Sequence, residues 1–231
     1  MHRLVLFDID GTLLSSHGAG RRAMEAALID VFGSKGSPSY RYDGKTDKQI
    51  VRDLMRGEGI DDVIIDAAMD DVLEAYVAGL QRELALPDTK VEAFAGVVAL
   101  LDALVDRAHC TVGLLTGNLE TGAQHKLNAA GIGYRRFAVG AFGSDHEVRA
   151  ELPGIAQRRA RETLGLEVAG NSMVIIGDTP SDIDCGRPIG ARAIAVATGH
   201  YTVEALTAHG AHAVLSDLAD TEAVLAAIDH A

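Results

Sequence analysis

Short apolar runs and amphipathic stretches alternate along the chain from Val91 onward. The apolar runs are typical of buried strands, and the stretches between them have the spacing of helices with one apolar face. This alternation predicts an α/β fold, a doubly wound parallel sheet with helices on both faces. The predicted strands lie at 111–115, 137–140, 173–176 and 193–197, with an edge strand at 213–215, and the predicted helices lie at 95–106, 120–130, 153–164, 181–189, 203–209 and 221–228.

The segment between the first apolar run and Pro87 breaks this rhythm. Helical stretches at 21–31, 47–56 and 61–84 follow one another with no clear strand between them. We therefore expect a small all-helical domain inserted after the first strand of the sheet. The expected boundaries are 1–15 and 88–231 for the α/β core domain and 16–87 for the helical domain, with hinges near 15–18 and 86–92.

Two carboxylates, Asp8 and Asp10, stand at the end of the first apolar run, just before Gly11. Where a strand gives way to a loop, both side chains can reach one pocket at the carboxyl end of the sheet, where open α/β folds bind ligands. Two carboxylates in one pocket repel each other unless a cation or a proton intervenes. They indicate either a metal site or a nucleophile beside a general acid/base, although a polar turn would also explain them.

Two later strands also end in polar groups. The strand at 173–176 leads into Asp178 and Asp182, and the strand at 111–115 leads into Thr116 and Gly117. Turns that only close strands would not account for polar groups at the carboxyl ends of three strands. This repetition favours a functional site over simple turns.

Composition narrows the function further. The formal net charge of −12 argues against a nucleic-acid or anionic-membrane surface. The longest apolar runs are far shorter than the about 20 residues that span a bilayer, and the start of the chain does not resemble a signal peptide. The two cysteines, Cys110 and Cys185, lack metal-binding spacing. We expect a cytoplasmic protein with structural thiols.

These motifs resemble those of the haloacid dehalogenase-like hydrolases, which are mostly magnesium-dependent phosphatases. The first motif, Asp-x-Asp-Gly-Thr-Leu, begins at Asp8; the second is met by the strand that ends at Thr116; and the fourth, Gly-Asp-x-x-x-Asp, begins at Gly177. The motifs span most of the chain in the family's order. The resemblance implies a Rossmann-like core, and the helical insertion resembles the cap of the family's first subclass, as in phosphoglycolate phosphatases. Such a cap would close over the substrate and exclude water.

The third motif departs from the family pattern, which usually has a lysine there. No lysine lies between Lys126 and the carboxyl terminus, and the nearest cation in the matching region is Arg149. Arginine can bind a phosphate through two nitrogens, but its planar group does not occupy the space of a lysine. We take Arg149 as the candidate for this role, with an ordinary surface residue as the alternative.

The resemblance implies a role for each carboxylate. Asp8 would be the nucleophile and Asp10 the general acid/base. Mg²⁺ would be held by a carboxylate oxygen of Asp8, the backbone carbonyl of Asp10 and the carboxylate of Asp178. Asp182 would act indirectly, by orienting a water molecule on the metal or the third-motif cation.

The remaining candidates would bind phosphate or substrate. The Thr116 hydroxyl and the backbone amides of Gly117 and Asn118 would bind phosphate oxygens. In the helical insertion, Lys45 follows a glycine turn and precedes a helix-start signal. That segment is either a simple helix cap or a specificity loop that brings Lys45 to the substrate.

The leading hypothesis is a Mg²⁺-dependent phosphomonoester hydrolase that acts on a small phosphorylated metabolite through an aspartyl-phosphate. A phosphomutase of the same family is one alternative, and a catalytically weak phosphate-binding regulatory protein is another. A dehalogenase is disfavoured because Asp10 would then have no purpose. The partners expected are the metabolite alone, with a monomer or a homodimer as the assembly.

Overall fold

The computed structural model describes residues 2–231 and is built around a six-stranded sheet. Its strands are β1 (Arg3–Phe7), β4 (Cys110–Thr116), β5 (Val139–Phe142), β6 (Met173–Gly177), β7 (Arg192–Val196) and β8 (Ala213–Leu215). They lie in the order β5-β4-β1-β6-β7-β8, and every neighbouring pair is parallel. The prediction of a doubly wound parallel sheet is therefore confirmed.

Strand β1 shows why the apolar runs are continuous. Its side chains alternate between the two faces of the sheet, as in any strand. Val5 and Phe7 belong to the apolar cluster on one face of the sheet, whereas Leu4 and Leu6 belong to the cluster on the other face. All four are fully buried, because helices cover both faces. The helices of the core are α4 (Val97–Val105), α5 (Glu120–Ala129), α6 (Leu152–Leu164), α7 (Pro180–Cys185), α8 (Val203–Ala208) and α9 (Thr221–His230).

The predicted helical insertion is present and has its own apolar core. Three helices, α1 (Ala19–Phe32), α2 (Asp47–Gly57) and α3 (Asp62–Leu84), lie in the chain between β1 and β4. Their buried side chains form a cluster distinct from those around the sheet. We call these three helices the cap, and 16–87 stays the proposed extent of that domain.

A two-stranded ribbon joins the cap to the core. β2 (Leu14–Ser15) and β3 (Glu92–Ala93) pair in antiparallel fashion, and the backbone N–H of Phe94 donates to the carbonyl of Leu13. Strands of two residues have no periodicity to detect, so this ribbon was not predicted. Its strands lie close to the segments that we expected to act as hinges.

Two predicted boundaries were wrong. The predicted helix at 181–189 ends at Cys185 and is followed by a separate 3₁₀ turn, Arg187–Ile189. Pro188 has no N–H to donate, so a continuous helix would lose a hydrogen bond there. The strand predicted at 137–140 begins only at Val139, where it pairs with Gly113, because the backbone of Phe137 is bonded into a 3₁₀ turn.

Neither cysteine forms a disulfide, and Cys185 is buried. Across residues 2–231, none of the helices is both long enough and apolar enough to traverse a membrane.

Candidate active site

Three neighbouring strands deliver the predicted residues to one edge of the sheet. Asp8 directly follows β1, Thr116 ends β4, and Asp178 directly follows β6. Because β1 lies between β4 and β6, the three side chains meet at adjacent carboxyl ends. They line a cavity of about 700 Å³ between the sheet and the cap. Asp10, Gly117, Asn118, Arg149 and Lys45 line the same cavity.

Three buried carboxylates lie together at this edge. One oxygen each of Asp8, Asp178 and Asp182 lies within 4.8 Å of the other two. Burial raises the pKa of Asp8 to about 6, although the nearby Arg149 lowers it. The pKa of Asp178 is raised well above its usual range by burial and then by the charges of Asp182 and Asp8. The cluster thus holds more negative charge than its surroundings balance, and its hard oxygen donors fit a divalent cation.

Helix capping explains the orientation of Asp182. The Thr179 backbone N–H and hydroxyl both donate to Asp182 Oδ2, at 3.0 and 2.6 Å, in a capping box at the start of α7. This leaves Asp182 Oδ1 to accept from Arg149. The preceding Gly177 is required for this arrangement, because a Cβ there would lie 2.1 Å from Asp182 Cγ. Thus the spacing of the fourth motif has a steric and a hydrogen-bonding cause.

A second glycine serves the other side of the cluster. Gly11 has φ +80°, and a Cβ on it would lie 2.4 Å from Asp178 Oδ2. The backbone of the first motif therefore passes directly against the carboxylate of the fourth. The Thr12 hydroxyl donates to Asp178 Oδ1 at 3.0 Å and holds that carboxylate in place.

Arg149 is buried beside the carboxylate cluster and is not a surface residue. Its side chain is 6% exposed and lies in the 3₁₀ turn that leads into α6. Nη2 lies 3.3 Å from Asp8 Oδ1 and also contacts Asp182. The two carboxylates balance the buried guanidinium, as a buried charge requires. Sequence reasoning selected this residue only as the nearest cation, and the tertiary structure places it against the candidate nucleophile.

Lys126 contacts Asp10 and was missed by sequence reasoning. Its Nζ donates to Asp10 Oδ2 and to Asn118 Oδ1, each at 2.6 Å. Lys126 is buried on α5 together with Gly122, Ala123 and Leu127. The one available sequence signal was that Lys126 falls on the apolar face of the predicted helix at 120–130. A lysine buried on such a face needs a buried partner.

Thr116 and Asn118 are linked to each other. Asn118 Nδ2 donates to Thr116 Oγ1 at 2.8 Å and to Asp10 Oδ2 at 2.9 Å. Since the Thr116 oxygen accepts from Asn118, its own hydroxyl proton remains available to another acceptor. The Asn118 backbone N–H lies 3.3 Å from the same oxygen, so it is partly occupied already. Binding of phosphate by Thr116, Gly117 and Asn118 stays a prediction.

Comparison with known proteins decides the family. The model of the haloacid dehalogenase-like hydrolases matches residues 2–190, which include every motif described above. The chain belongs to the haloacid dehalogenase-like hydrolases.

Individual relatives agree with this assignment. The hydrolase is 28% identical over 213 residues to a protein called "Probable phosphatase IndB" from Dickeya dadantii (strain 3937), covering 90% of this chain and 86% of that protein. It resembles the structure of CbbY from Rhodobacter sphaeroides in complex with phosphate, with TM-score 0.75, 19% identity and coverage of 99% and 100%. It also resembles the structure of a predicted phosphoglycolate phosphatase from Haemophilus somnus 129PT, with TM-score 0.69, 17% identity and coverage of 97% and 98%. At these identities the two structures establish a common fold.

The cap of this hydrolase directly contacts the loop that follows β4. The Asp47 backbone N–H donates to the Gly117 carbonyl at 2.9 Å, and Asp47 Oδ2 accepts from the Leu119 backbone N–H at 2.8 Å. A Cβ on Gly117 would lie 1.9 Å from the Lys45 carbonyl oxygen, so this glycine permits the close approach. Burial raises the pKa of Asp47 to about 6, and the nearby Lys126 opposes the rise.

The segment around Lys45 therefore does begin a capped helix. Thr46 Oγ1 accepts from the Gln49 backbone N–H at 3.1 Å, as a helix cap does. Lys45 itself lines the cavity, and its Nζ lies 5.6 Å from the centre of the Tyr40 ring. A role for Lys45 in substrate recognition stays a prediction. The helix-start signal that follows Lys45 comprises Thr46 and Asp47, and the contact of Asp47 with Leu119 had no sequence signal.

Proposed function

We propose that this hydrolase is a Mg²⁺-dependent phosphomonoester hydrolase that acts on a small phosphorylated metabolite through an aspartyl-phosphate. One observation supports this most strongly. A buried aspartate at the end of the central strand, Asp8, lies beside a buried cation and two further carboxylates at the floor of the cavity. This arrangement offers a nucleophile, a group that binds phosphate and a place for a divalent ion within a few ångströms.

In the first step, a carboxylate oxygen of Asp8 attacks the phosphorus atom. The new bond from Asp8 to phosphorus forms as the bond from phosphorus to the alcohol oxygen breaks. Asp10 donates its proton to that departing oxygen, so that a neutral alcohol leaves. The Asp10 side chain is 43% exposed, which suits a group that must reach the substrate.

In the second step, water attacks the phosphorus atom of the aspartyl-phosphate. Asp10, now ionised, takes a proton from this water. The bond between Asp8 and phosphorus breaks, which releases inorganic phosphate and restores the Asp8 carboxylate. The same residue thus serves as the acid and then as the base.

Binding of the phosphoryl group would rely on Arg149, Thr116 and the backbone amides of Gly117 and Asn118. Arg149 already lies 3.3 Å from Asp8, close enough to neutralise charge that develops on the transferring group. Asp182 would act by holding Arg149, because its Oδ1 contacts that guanidinium.

Mg²⁺ would be held by the carboxylates of Asp8 and Asp178 and by the backbone carbonyl of Asp10. When bound, the ion would neutralise charge on the phosphoryl group and on the carboxylate cluster. The raised pKa values of Asp8 and Asp178 support this, since burial first and the neighbouring carboxylates next disfavour their ionised forms, and a bound cation would offset both effects.

A cavity of about 700 Å³ suits a small metabolite. A net charge of −12 means that an anionic substrate must be attracted by local cations. The proposed setting is the cytoplasm, in keeping with two cysteines that form no disulfide. Assembly as a monomer or a homodimer stays a prediction.

The test begins with purified protein freed of metal by a chelator. Phosphate release is measured from p-nitrophenyl phosphate and from a panel of phosphorylated metabolites, with and without Mg²⁺. We expect turnover that depends on Mg²⁺ and a loss of at least about 1,000-fold in Asp8→Asn, because the nucleophile is removed. Asp70→Asn is the matched control, since Asp70 is an exposed aspartate of the cap.

The alternatives give different results in the same assay. Full activity of Asp8→Asn would remove Asp8 from the mechanism. A mutase would convert a sugar phosphate to its isomer with little free phosphate. Metabolite binding without phosphate release would support a regulatory protein and would overturn the proposal.

A further inference from the structure

Lys126 is a buried cation to which the mechanism above gives no role. Its side chain is 5% exposed, whereas the Asp10 side chain that it contacts is 43% exposed. A buried ammonium group is strongly destabilising unless it is paired and hydrogen-bonded. Here both conditions are met by groups of the active site, Asp10 and Asn118. The fold therefore places a lysine behind the candidate acid/base.

The contacts of Asp10 are one-sided. Oδ2 accepts from Lys126 Nζ at 2.6 Å and from Asn118 Nδ2 at 2.9 Å. Oδ1 accepts no hydrogen bond from any side chain or backbone group of residues 2–231. Two donors on one oxygen restrict rotation of the carboxylate. The other oxygen is then the one available to exchange a proton with a ligand in the cavity.

The lysine is itself held in place from two sides. Asn118 accepts from Lys126 through Oδ1 and donates to Thr116 through Nδ2, so a chain of hydrogen bonds joins Asp10 to the predicted phosphate-binding hydroxyl. On the other side, helix α1 of the cap passes close by, and a Cβ on Gly20 would lie 3.2 Å from Lys126 Nζ. Glycine at this point leaves room for the ammonium group beneath the cap.

We propose that Lys126 is a positioning residue for Asp10. Together with Asn118 it holds Oδ2, so that Oδ1 faces the leaving-group oxygen of the substrate. The inference rests on the proposed function, in which Asp10 protonates that oxygen. A lysine that only fills and stabilises the interface between α5 and the cap would leave proton donation by Asp10 unchanged.

The test compares two aryl phosphates that differ only in a para nitro group, phenyl phosphate and p-nitrophenyl phosphate. Phenolate is the poorer leaving group and needs the proton more. The variant is Lys126→Met, which keeps the length of the side chain and removes its charge and donors. Release of the phenol is followed in the first turnover with enzyme in excess and Mg²⁺ present. This isolates the step in which Asp10 acts as an acid.

We expect Lys126→Met to slow release from phenyl phosphate by about 100-fold and from p-nitrophenyl phosphate by less than about tenfold. Binding of inorganic phosphate, measured by calorimetry with Mg²⁺, should change little. Among the residues predicted to bind phosphate, Lys126 contacts Asn118, and it does so at the side-chain oxygen and not at the backbone amide. The control is Lys35→Met, in which an exposed lysine between α1 and α2 is replaced. Both rates should be unchanged in this variant.

Equal losses on the two substrates, or no loss on either, would overturn the positioning role while leaving the hydrolase activity in place. Absence of turnover in the unmodified protein would overturn the proposed function and this inference together. If Lys126→Met does not fold, Lys126→Leu permits the same comparison, because it also removes the charge and every donor to Asp10 while remaining apolar.

Discussion

Replacement of Asp47 by asparagine should change how the stability of this hydrolase depends on pH. Asp47 is buried at the start of α2, and burial raises its pKa to about 6, from an ordinary value of 3.8. Between these values the folded protein holds a proton that the unfolded chain has released. The contribution of Asp47 to the free energy of unfolding of the parent therefore falls as the pH rises from about 4 through about 6.

The size of the effect follows from the two pKa values. Each pKa unit corresponds to about 1.4 kcal/mol, so a shift of about two units amounts to about 2 to 3 kcal/mol at pH 7. Asp47→Asn has no carboxylate to ionise, and its amide oxygen can still accept from the Leu119 N–H. We expect the variant to gain about 2 to 3 kcal/mol relative to the parent between pH 4 and pH 7.

The assay is urea unfolding of the metal-free protein at several pH values in this range. Any constant effect of the new amide group shifts all points equally and does not alter the trend with pH. Asp47→Ala should show the same trend with a different offset, since the trend comes from the carboxylate alone. A difference between variant and parent that stays flat from pH 4 to pH 7 would refute the reasoning.

Two further predictions concern the active site. Arg149→Ala should reduce turnover by about 100-fold or more, because Asp8 loses the cation 3.3 Å away. Arg149→Lys should retain more activity than Arg149→Ala. Equal turnover in the parent and in Arg149→Ala would show that this cation has no catalytic role. Mg²⁺ at 100 times its dissociation constant should raise the free energy of unfolding by about 2.7 kcal/mol, measured by urea titration. Asp178→Asn should lose this response to Mg²⁺. An unaltered response in Asp178→Asn would place the ion elsewhere.

Helix and strand positions were predictable where a periodic pattern of apolar residues matched the face that the element buries. The apolar run of β1 and the helical pattern of α3 were found within a few residues, because each element buries a repeating face. The ribbon of β2 and β3 was not found, since its two residues per strand pair across a long separation in sequence. The helix that ends at Cys185 was predicted too long, because the helical periodicity continues to residue 189 although Pro188 interrupts the helix.

The candidate site divides in the same way. Asp8, Thr116 and Asp178 could be selected from the sequence because each stands at the end of an apolar strand, and parallel strands bring such ends to one edge. Lys126 and Asp47 could not, because their importance lies in partners far away in the chain. Lys126 meets Asp10 across 116 positions, and Asp47 meets Leu119 across 72.

The fold class, the family and the strand ends at which the chemistry is expected could all be read from the sequence, because they depend on local patterns and spacing. The balance of charge at those strand ends could not. Arg149 is buried against Asp8 and Asp182, and Lys126 is buried against Asp10, and these contacts exist only in the folded chain. A charge can be buried only beside its partner, and folding is what brings partners from distant parts of the sequence together.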